Sequence, residues 1–264
     1  MKILKKYKKY IDINQKTWDL RTPIHIKSSF YDNENFIKHQ SSLKEIELSA
    51  IGKIKNKSLL HLQCHFGQDS ISLANMGANV TAVDFSSIAI NEAKLLAKQT
   101  STNVNFVNCN VLDLELDREF DIIFSSYGVL GWLPDLFKWG ETISKHLKKG
   151  GLFLLTEFHP FIELIKGNGY DYFFDEKPDI EESKGSYTDG GKNISTKTCW
   201  WNHSLTDIFQ ALENNGLKLT LFEEFDYCPY MLENMIEKEK GKYVLEIRKH
   251  LATPYVFNLK ATKK

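Results

Sequence analysis

One stretch of the sequence combines a glycine and an acid at a spacing that suits ligand binding. In LLHLQCHFGQDSISLANMGANVTAVDFS, residues 59–86, Gly67 follows one apolar run, and Asp84 ends the next run seventeen positions later. Glycine lets the backbone approach a ligand closely, and a carboxylate can accept hydrogen bonds from both hydroxyls of a ribose. The spacing therefore predicts a site for a nucleoside cofactor.

Such a site needs two parallel strands whose carboxyl ends meet at one edge of a sheet, where ligands bind. The middle of the chain alternates short apolar runs with amphipathic runs, which is typical of an α/β fold with helices on both faces of a parallel sheet. The predicted strands are residues 58–63, 79–84, 104–109, 120–125, 152–157, 217–224 and 254–261.

Helix signals lie between these strands. A helix at 68–76 ends at Gly77, Ser86 caps the next, and a third closes on Lys148, Lys149 and Gly150. Ser204 and Asp207 form a capping box for a fourth. We assign residues 1–50 to an N-terminal extension, because they have no clear partner in this pattern. Residues 51–264 form one domain, with an insertion at 158–202 that contains a hairpin turning at 189–191.

Composition narrows the function classes. The chain has 34 basic and 34 acidic residues, so its net charge of zero disfavours a nucleic-acid partner. No apolar stretch reaches the length of a membrane span, and the basic N-terminus lacks the apolar segment of a secretory signal, so it reads as a solvated tail or helix face. The four cysteines are widely spaced, which predicts free thiols in a cytoplasmic protein and no metal site.

The segment 59–86 resembles motifs I and II of the class I S-adenosylmethionine-dependent methyltransferases. FDIIFSSYGVLGWLPDL (120–136) is similar to their motif IV, and LKKGGLFLLTE (147–157) to the helix, turn and strand that follow. The wording QCHFG resembles a bacterial subgroup that methylates small molecules. The resemblance implies a Rossmann-like, seven-stranded, mostly parallel sheet whose last strand is antiparallel. It also implies S-adenosylmethionine as the cofactor and methyl transfer to a small-molecule acceptor.

The chain departs from the family pattern at two places. Gln63 and His65 replace the first two glycines of the motif GxGxG, so their side chains must point away from the cofactor or take part in binding it. Asn110 stands where the family often has an Asp that faces the adenine amino group, and its amide oxygen can still accept a hydrogen bond. The other predicted cofactor residues are Trp18, Gly67, Asp84, Phe85, Ser86, Val111 and Ser126.

Three residues are candidates for catalysis. Tyr127 follows a strand end and suits the neighbourhood of a cationic sulfonium. His159 and, second to it, His203 could act as a base if the acceptor must lose a proton. We expect the aromatic segment 170–201 to form a lid with Tyr170, Tyr172, Phe173, Phe174, Tyr187, Trp200 and Trp201. By resemblance to the same subgroup, residues 17–32, with Trp18, Arg21, His25 and Tyr31, fold over the cofactor.

Two rival functions stay open. An NAD-dependent oxidoreductase would use the same sheet edge, but its fingerprint requires three glycines that QCHFGQ does not supply. A non-catalytic relative could keep the fold as a binding subunit, and the missing glycines and Asn110 favour it. The sequence leaves open the acceptor, the methylated atom and the oligomeric state.

Overall fold

The computed structural model describes residues 2–166 and 171–264. Its helices are α1 (Lys2–His25), α2 (Asn33–His39), α3 (Glu45–Ile51), α4 (Gln68–Asn75), α5 (Ser87–Gln99), α6 (Leu136–His146), α7 (Phe161–Lys166) and α8 (Leu205–Glu213). Its strands are β1 (Ser58–Leu62), β2 (Asn79–Asp84), β3 (Asn105–Asn108), β4 (Phe120–Ser126), β5 (Leu147–Phe158), β6 (Asp179–Lys184), β7 (Ser195–Trp200), β8 (Leu217–Phe225), β9 (Met235–Glu239), β10 (Lys242–Leu245) and β11 (Val256–Lys263).

Seven strands form the central sheet, in the order β3-β2-β1-β4-β5-β11-β8. The strands from β3 to β5 pair in parallel, whereas β11 runs antiparallel to both of its neighbours. The prediction of a seven-stranded, mostly parallel sheet with an antiparallel last strand is confirmed. The carboxyl ends of β1, β2 and β4 meet at one edge, which is where the predicted site requires them.

Helices cover both faces of this sheet. On one face α6 and α8 bury Trp139, Ile143 and Leu212 against the strands. On the other face α2, α3, α4 and α5 pack, and the predicted apolar stripe of α5 is buried as expected. Most boundaries lie within two residues of the predicted ones. The exception is the start of β5, because α6 ends at His146 and residues 147–150 already belong to β5, whose pairing with β4 shifts register there.

The N-terminal extension and the insertion pack against each other. The strands β6 and β7 form the predicted antiparallel hairpin, and the loop 185–194 between them contains the predicted turn. The side chain of Asn14 on α1 both donates to and accepts from the backbone of Cys199 on β7, at 2.7 and 2.8 Å. Tyr7 is buried and its ring lies 5.9 Å from that of Trp201. We call α1 together with the β6–β7 hairpin the cover.

The hairpin of β9 and β10 lies within residues 226–253, for which the sequence predicted no element. In the described part of the chain, no helix combines the length and the apolar character that crossing a membrane requires. Tyr170 lies outside the described residues.

Candidate functional site

A cavity of about 660 Å³ lies at the carboxyl ends of β1, β2 and β4, beneath the cover. Its walls come from the sheet edge, from α1 on the cover and from the segment around α2 and α3. Most of the predicted site residues line it, namely Trp18, Gln63, His65, Gly67, Asp84, Phe85, Asn110, Val111, Ser126 and Tyr127. The structure thus brings together residues that are far apart in the sequence.

The loop after β1 keeps the backbone shape of a glycine motif without all of its glycines. Gln63, His65 and Gly67 have φ angles of +54°, +51° and +84°, all in the left-handed region. This region costs a non-glycine residue about 1–2 kcal/mol, and such strain is characteristic of functional sites. A Cβ at position 67 would lie 2.8 Å from the ring of Phe106, so glycine alone fits there.

The side chain of Gln63 joins two loops and leaves one acceptor free. Its Nε2 donates to the carbonyl of Val129 at 2.9 Å, which ties the loop after β1 to the loop after β4. Its Oε1 is buried and has no hydrogen-bond partner among the described residues. Because buried polar atoms are nearly always paired, this oxygen in the cavity wall suits a ligand that donates a hydrogen bond.

The carboxylate of Asp84 closes the end of β2 and is 8% exposed. Its Oδ2 accepts from the backbone N–H of His65 and its Oδ1 from that of Ser86, both at 2.9 Å. Burial raises the pKa of Asp84 to about 6, although these backbone N–H groups favour the charged form. Each oxygen keeps a further lone pair, so the carboxylate can still accept from ligand hydroxyls.

Two other predicted residues, Ser86 and Asn110, make hydrogen bonds that hold nearby elements. Ser86 does not line the cavity: its Oγ accepts from the N–H of Ala89 at the start of α5 and donates to Asp19 on α1 at 2.6 Å. Asn110 does line the cavity, and its Oδ1 accepts from the N–H of Leu112 at 2.9 Å, which holds a short 3-10 turn.

Two carboxyl groups accept hydrogen bonds from residues at the end of β4: Asp69 lines the cavity, whereas Glu47 contacts Tyr127 and does not line it. Ser126 donates from Oγ to Asp69 Oδ2 at 3.0 Å, and Tyr127 donates from its hydroxyl to Glu47 Oε2 at 2.7 Å. Glu47 is buried, and burial, with a smaller effect of Asp69, raises its pKa to about 7. Tyr127 has a φ of +46°, so this residue too is held in a strained conformation.

The two histidines proposed as bases lie elsewhere. They line a smaller cavity of about 100 Å³, which shares Gly128, Phe158 and Trp200 with the larger one. His159 Nε2 lies 3.0 Å from Glu224 Oε1, and burial lowers the pKa of its ring. His203 Nε2 donates to the carbonyl of Leu133 at 2.9 Å, and burial lowers its pKa to about 4. The structure therefore does not bring these histidines to the predicted cofactor residues.

The aromatic residues of the predicted lid divide between the cavity and other places. Tyr187 and Trp200 line the large cavity. Trp201 is buried against α1, and Tyr172 accepts from the N–H of Leu205 through its hydroxyl. Phe173 is 72% exposed.

Several residues of the site were not predicted from the sequence. Glu47 and Asp69 gave no signal of their own, because nothing in the local pattern predicts that α3 and α4 face the end of β4. Tyr230 lines the cavity and contacts Tyr127 with ring centroids 5.0 Å apart. It follows β8, whose carboxyl end lies at the ligand-binding edge, so position along the sheet could have indicated it.

Comparison with known proteins agrees with this geometry. Residues 59–151 match a family model described as a methyltransferase domain. The ubiquinone biosynthesis O-methyltransferase of Colwellia psychrerythraea is 26% identical over 160 residues, which cover 59% of this chain and 64% of the relative. The demethylmenaquinone methyltransferase of Clavibacter sepedonicus is 26% identical over 169 residues, covering 61% and 67%. The chain thus spans 64% and 67% of the length of these two curated relatives.

A solved structure supports the same fold. The S-adenosylmethionine-dependent methyltransferase of Clostridium acetobutylicum aligns with a TM-score of 0.58 and 17% identity, covering 92% of this chain and 96% of the other. At this identity the likeness concerns the fold. With the strand order and the loop after β1, the match of residues 59–151 identifies a methyltransferase domain within a chain that has this fold.

Proposed function

We propose that this protein transfers the methyl group of S-adenosylmethionine to a small-molecule acceptor bound in the large cavity. The observation that carries the proposal is the pair of buried acceptors in one wall, the carboxylate of Asp84 and the unpartnered Oε1 of Gln63. They face the same cavity from the ends of two neighbouring strands.

The residues of this wall fit the chemistry of the cofactor. Asp84 would accept from the ribose hydroxyls, and Gln63 Oε1 would accept from the ammonium of the methionine part. Phe85, Asn110 and Val111 would surround the adenine. Backbone strain at Gln63 and His65 is consistent with a loop held in a ligand-ready shape.

When bound, S-adenosylmethionine supplies an electrophilic methyl group on a positively charged sulfur. The chain contributes alignment and the exclusion of water. Trp18 lies 5.0 Å from the ring of His65 and 5.2 Å from that of Trp132, so α1 bridges the loops after β1 and β4. Tyr127 adds an electron-rich ring to the same cavity, which suits a cationic centre.

For an acceptor that must lose a proton, we propose the Tyr127–Glu47 pair as the route. The phenol oxygen of Tyr127 would receive the proton while its own proton moves to Glu47 Oε2, 2.7 Å away. A carboxyl group with a pKa of about 7 is suited to this task near neutral pH. His159 and His203 are less well placed, because they line the smaller cavity.

The cover supports a small-molecule acceptor. An enclosed site excludes water and fixes the line of attack, and here α1 and the β6–β7 hairpin lie over the strand ends. The two curated relatives are named for ubiquinone biosynthesis and for demethylmenaquinone, both small molecules. The four free thiols suit a reducing, cytoplasmic compartment.

Ligand-dependent thermal stability tests the proposal. S-adenosylhomocysteine, the demethylated cofactor, should raise the melting temperature because it binds only the folded state. NADH serves as the comparison, because a shift with NADH alone would instead indicate an oxidoreductase. Folded protein that responds to neither ligand at millimolar concentration would contradict the proposal and favour a non-catalytic relative.

A further inference from the structure

Arg21 is a buried cation in the wall of the large cavity. It lies on α1 one turn beyond Trp18, and both side chains line the cavity. Arg21 is 8% exposed. Its Nη2 donates to Thr196 Oγ1 on β7 at 3.1 Å, whereas its Nε has no hydrogen-bond partner among the described residues. The guanidinium thus keeps unused donors inside the protein.

In the described part of the chain, no acidic group neutralises this charge. Within the described residues, no Asp or Glu oxygen lies close enough to Arg21 for an ion pair. The carboxylate of Glu181 acts on it only from a distance, and the pKa of Arg21 is lowered chiefly by burial. The neighbouring His25 offers no compensation, because burial and the charge of Arg21 lower its pKa and its neutral ring carries no negative charge. A buried charge without a partner is costly, so this position suits an anion that a ligand supplies.

We infer that Arg21 binds a carboxylate of a ligand in the large cavity, an inference that rests on the proposed function. The planar fork of a guanidinium matches the two oxygens of a carboxylate. A single cation at this wall balances a single negative charge, which favours a carboxylate over a doubly charged phosphate. Lys44 also lines the cavity, but it belongs to the wall around α2 and α3, where its Nζ lies 5.0 Å from the ring centre of Tyr230. The carboxylate belongs either to the methionine part of the cofactor or to the acceptor.

Calorimetric titration of wild type and Arg21→Gln distinguishes the two sources. S-adenosylhomocysteine carries the carboxylate, and 5′-methylthioadenosine has the same nucleoside without it. If the cofactor supplies the anion, Arg21→Gln weakens S-adenosylhomocysteine binding on the order of 10- to 100-fold and leaves 5′-methylthioadenosine binding unchanged. If the acceptor supplies it, both affinities stay unchanged. Benzoate, titrated with and without S-adenosylhomocysteine, then binds wild type more tightly than Arg21→Gln, whereas uncharged benzyl alcohol does not distinguish them.

Thr17→Val is the matched control. Thr17 also ties α1 to β7, through a hydrogen bond to the carbonyl of Lys197, but it does not line the cavity. Thr17→Val should leave the affinities for all four ligands unchanged. Without ligand, Arg21→Gln should melt no lower than Thr17→Val, because it removes an unpaired buried charge. Arg21→Lys keeps the charge but loses the fork, and it provides the same comparison if the Gln variant does not fold.

Equal affinities of wild type and Arg21→Gln for S-adenosylhomocysteine and for benzoate would overturn the inference. Failure of the proposed function looks different, because wild type would then bind neither S-adenosylhomocysteine nor 5′-methylthioadenosine. The benzoate titration without cofactor would still decide the role of Arg21 in that case.

Discussion

Nδ1 of His25 lies 3.0 Å from Nε2 of His65, so the end of α1 is joined to the loop after β1. The other nitrogen of His25 lies 2.6 Å from Ser186 Oγ in the loop of the β6–β7 hairpin. The ring of His25 therefore connects α1 and the β6–β7 hairpin to the loop after β1. Because a ring nitrogen of each histidine is shared in this contact, at most one of the two can donate, and the pair is compatible with neutral imidazoles.

We predict that His25 and His65 stay neutral at pH 5. Burial lowers the pKa of His25 to about 3 and lowers that of His65 well below its usual value. Since the unfolded chain protonates its histidines near pH 6.5, the stability that these rings contribute is fully present above that pH and is lost as the pH falls. Nitrogen-15 spectra of the imidazoles at pH 5 should show neutral tautomers for both. Charged rings in folded protein would contradict this packing.

We predict that Asp84→Asn weakens binding of S-adenosylhomocysteine by about 1.5–3 kcal/mol, the usual worth of hydrogen bonds to a charged group. The amide keeps one acceptor oxygen for the backbone N–H groups, so the fold should survive. Asp113→Asn is the control, because Asp113 is exposed and does not line the cavity. Unchanged affinity in Asp84→Asn would place the ribose elsewhere.

The same carboxylate should make cofactor binding depend on pH. Asp84 has a pKa of about 6, and only the ionised form offers both oxygens as acceptors. Affinity for S-adenosylhomocysteine should therefore fall as the pH drops below about 6 and stay level above it. The acid limb should be absent in Asp84→Asn, and its persistence there would assign it to another group.

The sheet and the loop after β1 could be predicted because the sequence patterns that indicate them are local. The face of α5 that carries Ala89, Ile90 and Ala93 is apolar in the sequence and buried in the structure. The loop after β1 and Asp84 both lie at the carboxyl ends of strands, and in a parallel sheet these ends meet at one edge. Such features need no knowledge of distant contacts.

The cover and the contacts of Tyr127 beside β4 depend on pairings between distant segments. Asn14 pairs with Cys199, 185 positions later, and Glu47 with Tyr127, 80 positions later. His159 shows that a position in the sequence can predict the edge of the sheet without predicting the cavity that a side chain lines. Its position at a strand end indicates the correct edge, but side chains alternate along a strand, and Phe158 takes the place in the large cavity while His159 lines the smaller one.

We predict that Gly67→Ala destabilises the protein by about 2–5 kcal/mol, as the sum of left-handed strain and overpacking. The added Cβ would meet both the ring of Phe106 at 2.8 Å and the Cβ of Ala93 at 3.0 Å. Gly216→Ala is the matched control, because Gly216 has a similar φ of +78° with no atom within 4 Å of the new Cβ. It should cost only about 1–2 kcal/mol. Urea unfolding of both variants measures the difference, and equal losses would show that the loop has room for a side chain.

The buried carboxyl group of Glu47 should make stability fall as the pH rises. Its pKa of about 7 lies above the ordinary value of 4.5, so the folded state holds a proton that the unfolded state releases first. The loss begins near pH 4.5 and is complete above about pH 7, where the folded protein contains a buried carboxylate.

Glu47→Gln removes this loss, because a neutral amide can accept from the N–H of Lys44 as Oε1 of Glu47 does. We therefore expect the variant to gain stability relative to wild type between pH 5 and pH 8, by up to about 3 kcal/mol as an order of magnitude. Glu45→Gln, at an exposed position in the first turn of the same helix, should show no such gain. Urea unfolding at several pH values measures the three proteins together. A constant difference between Glu47→Gln and wild type would mean that Glu47 is ionised throughout, and it would remove the Tyr127–Glu47 pair as a proton acceptor near neutral pH.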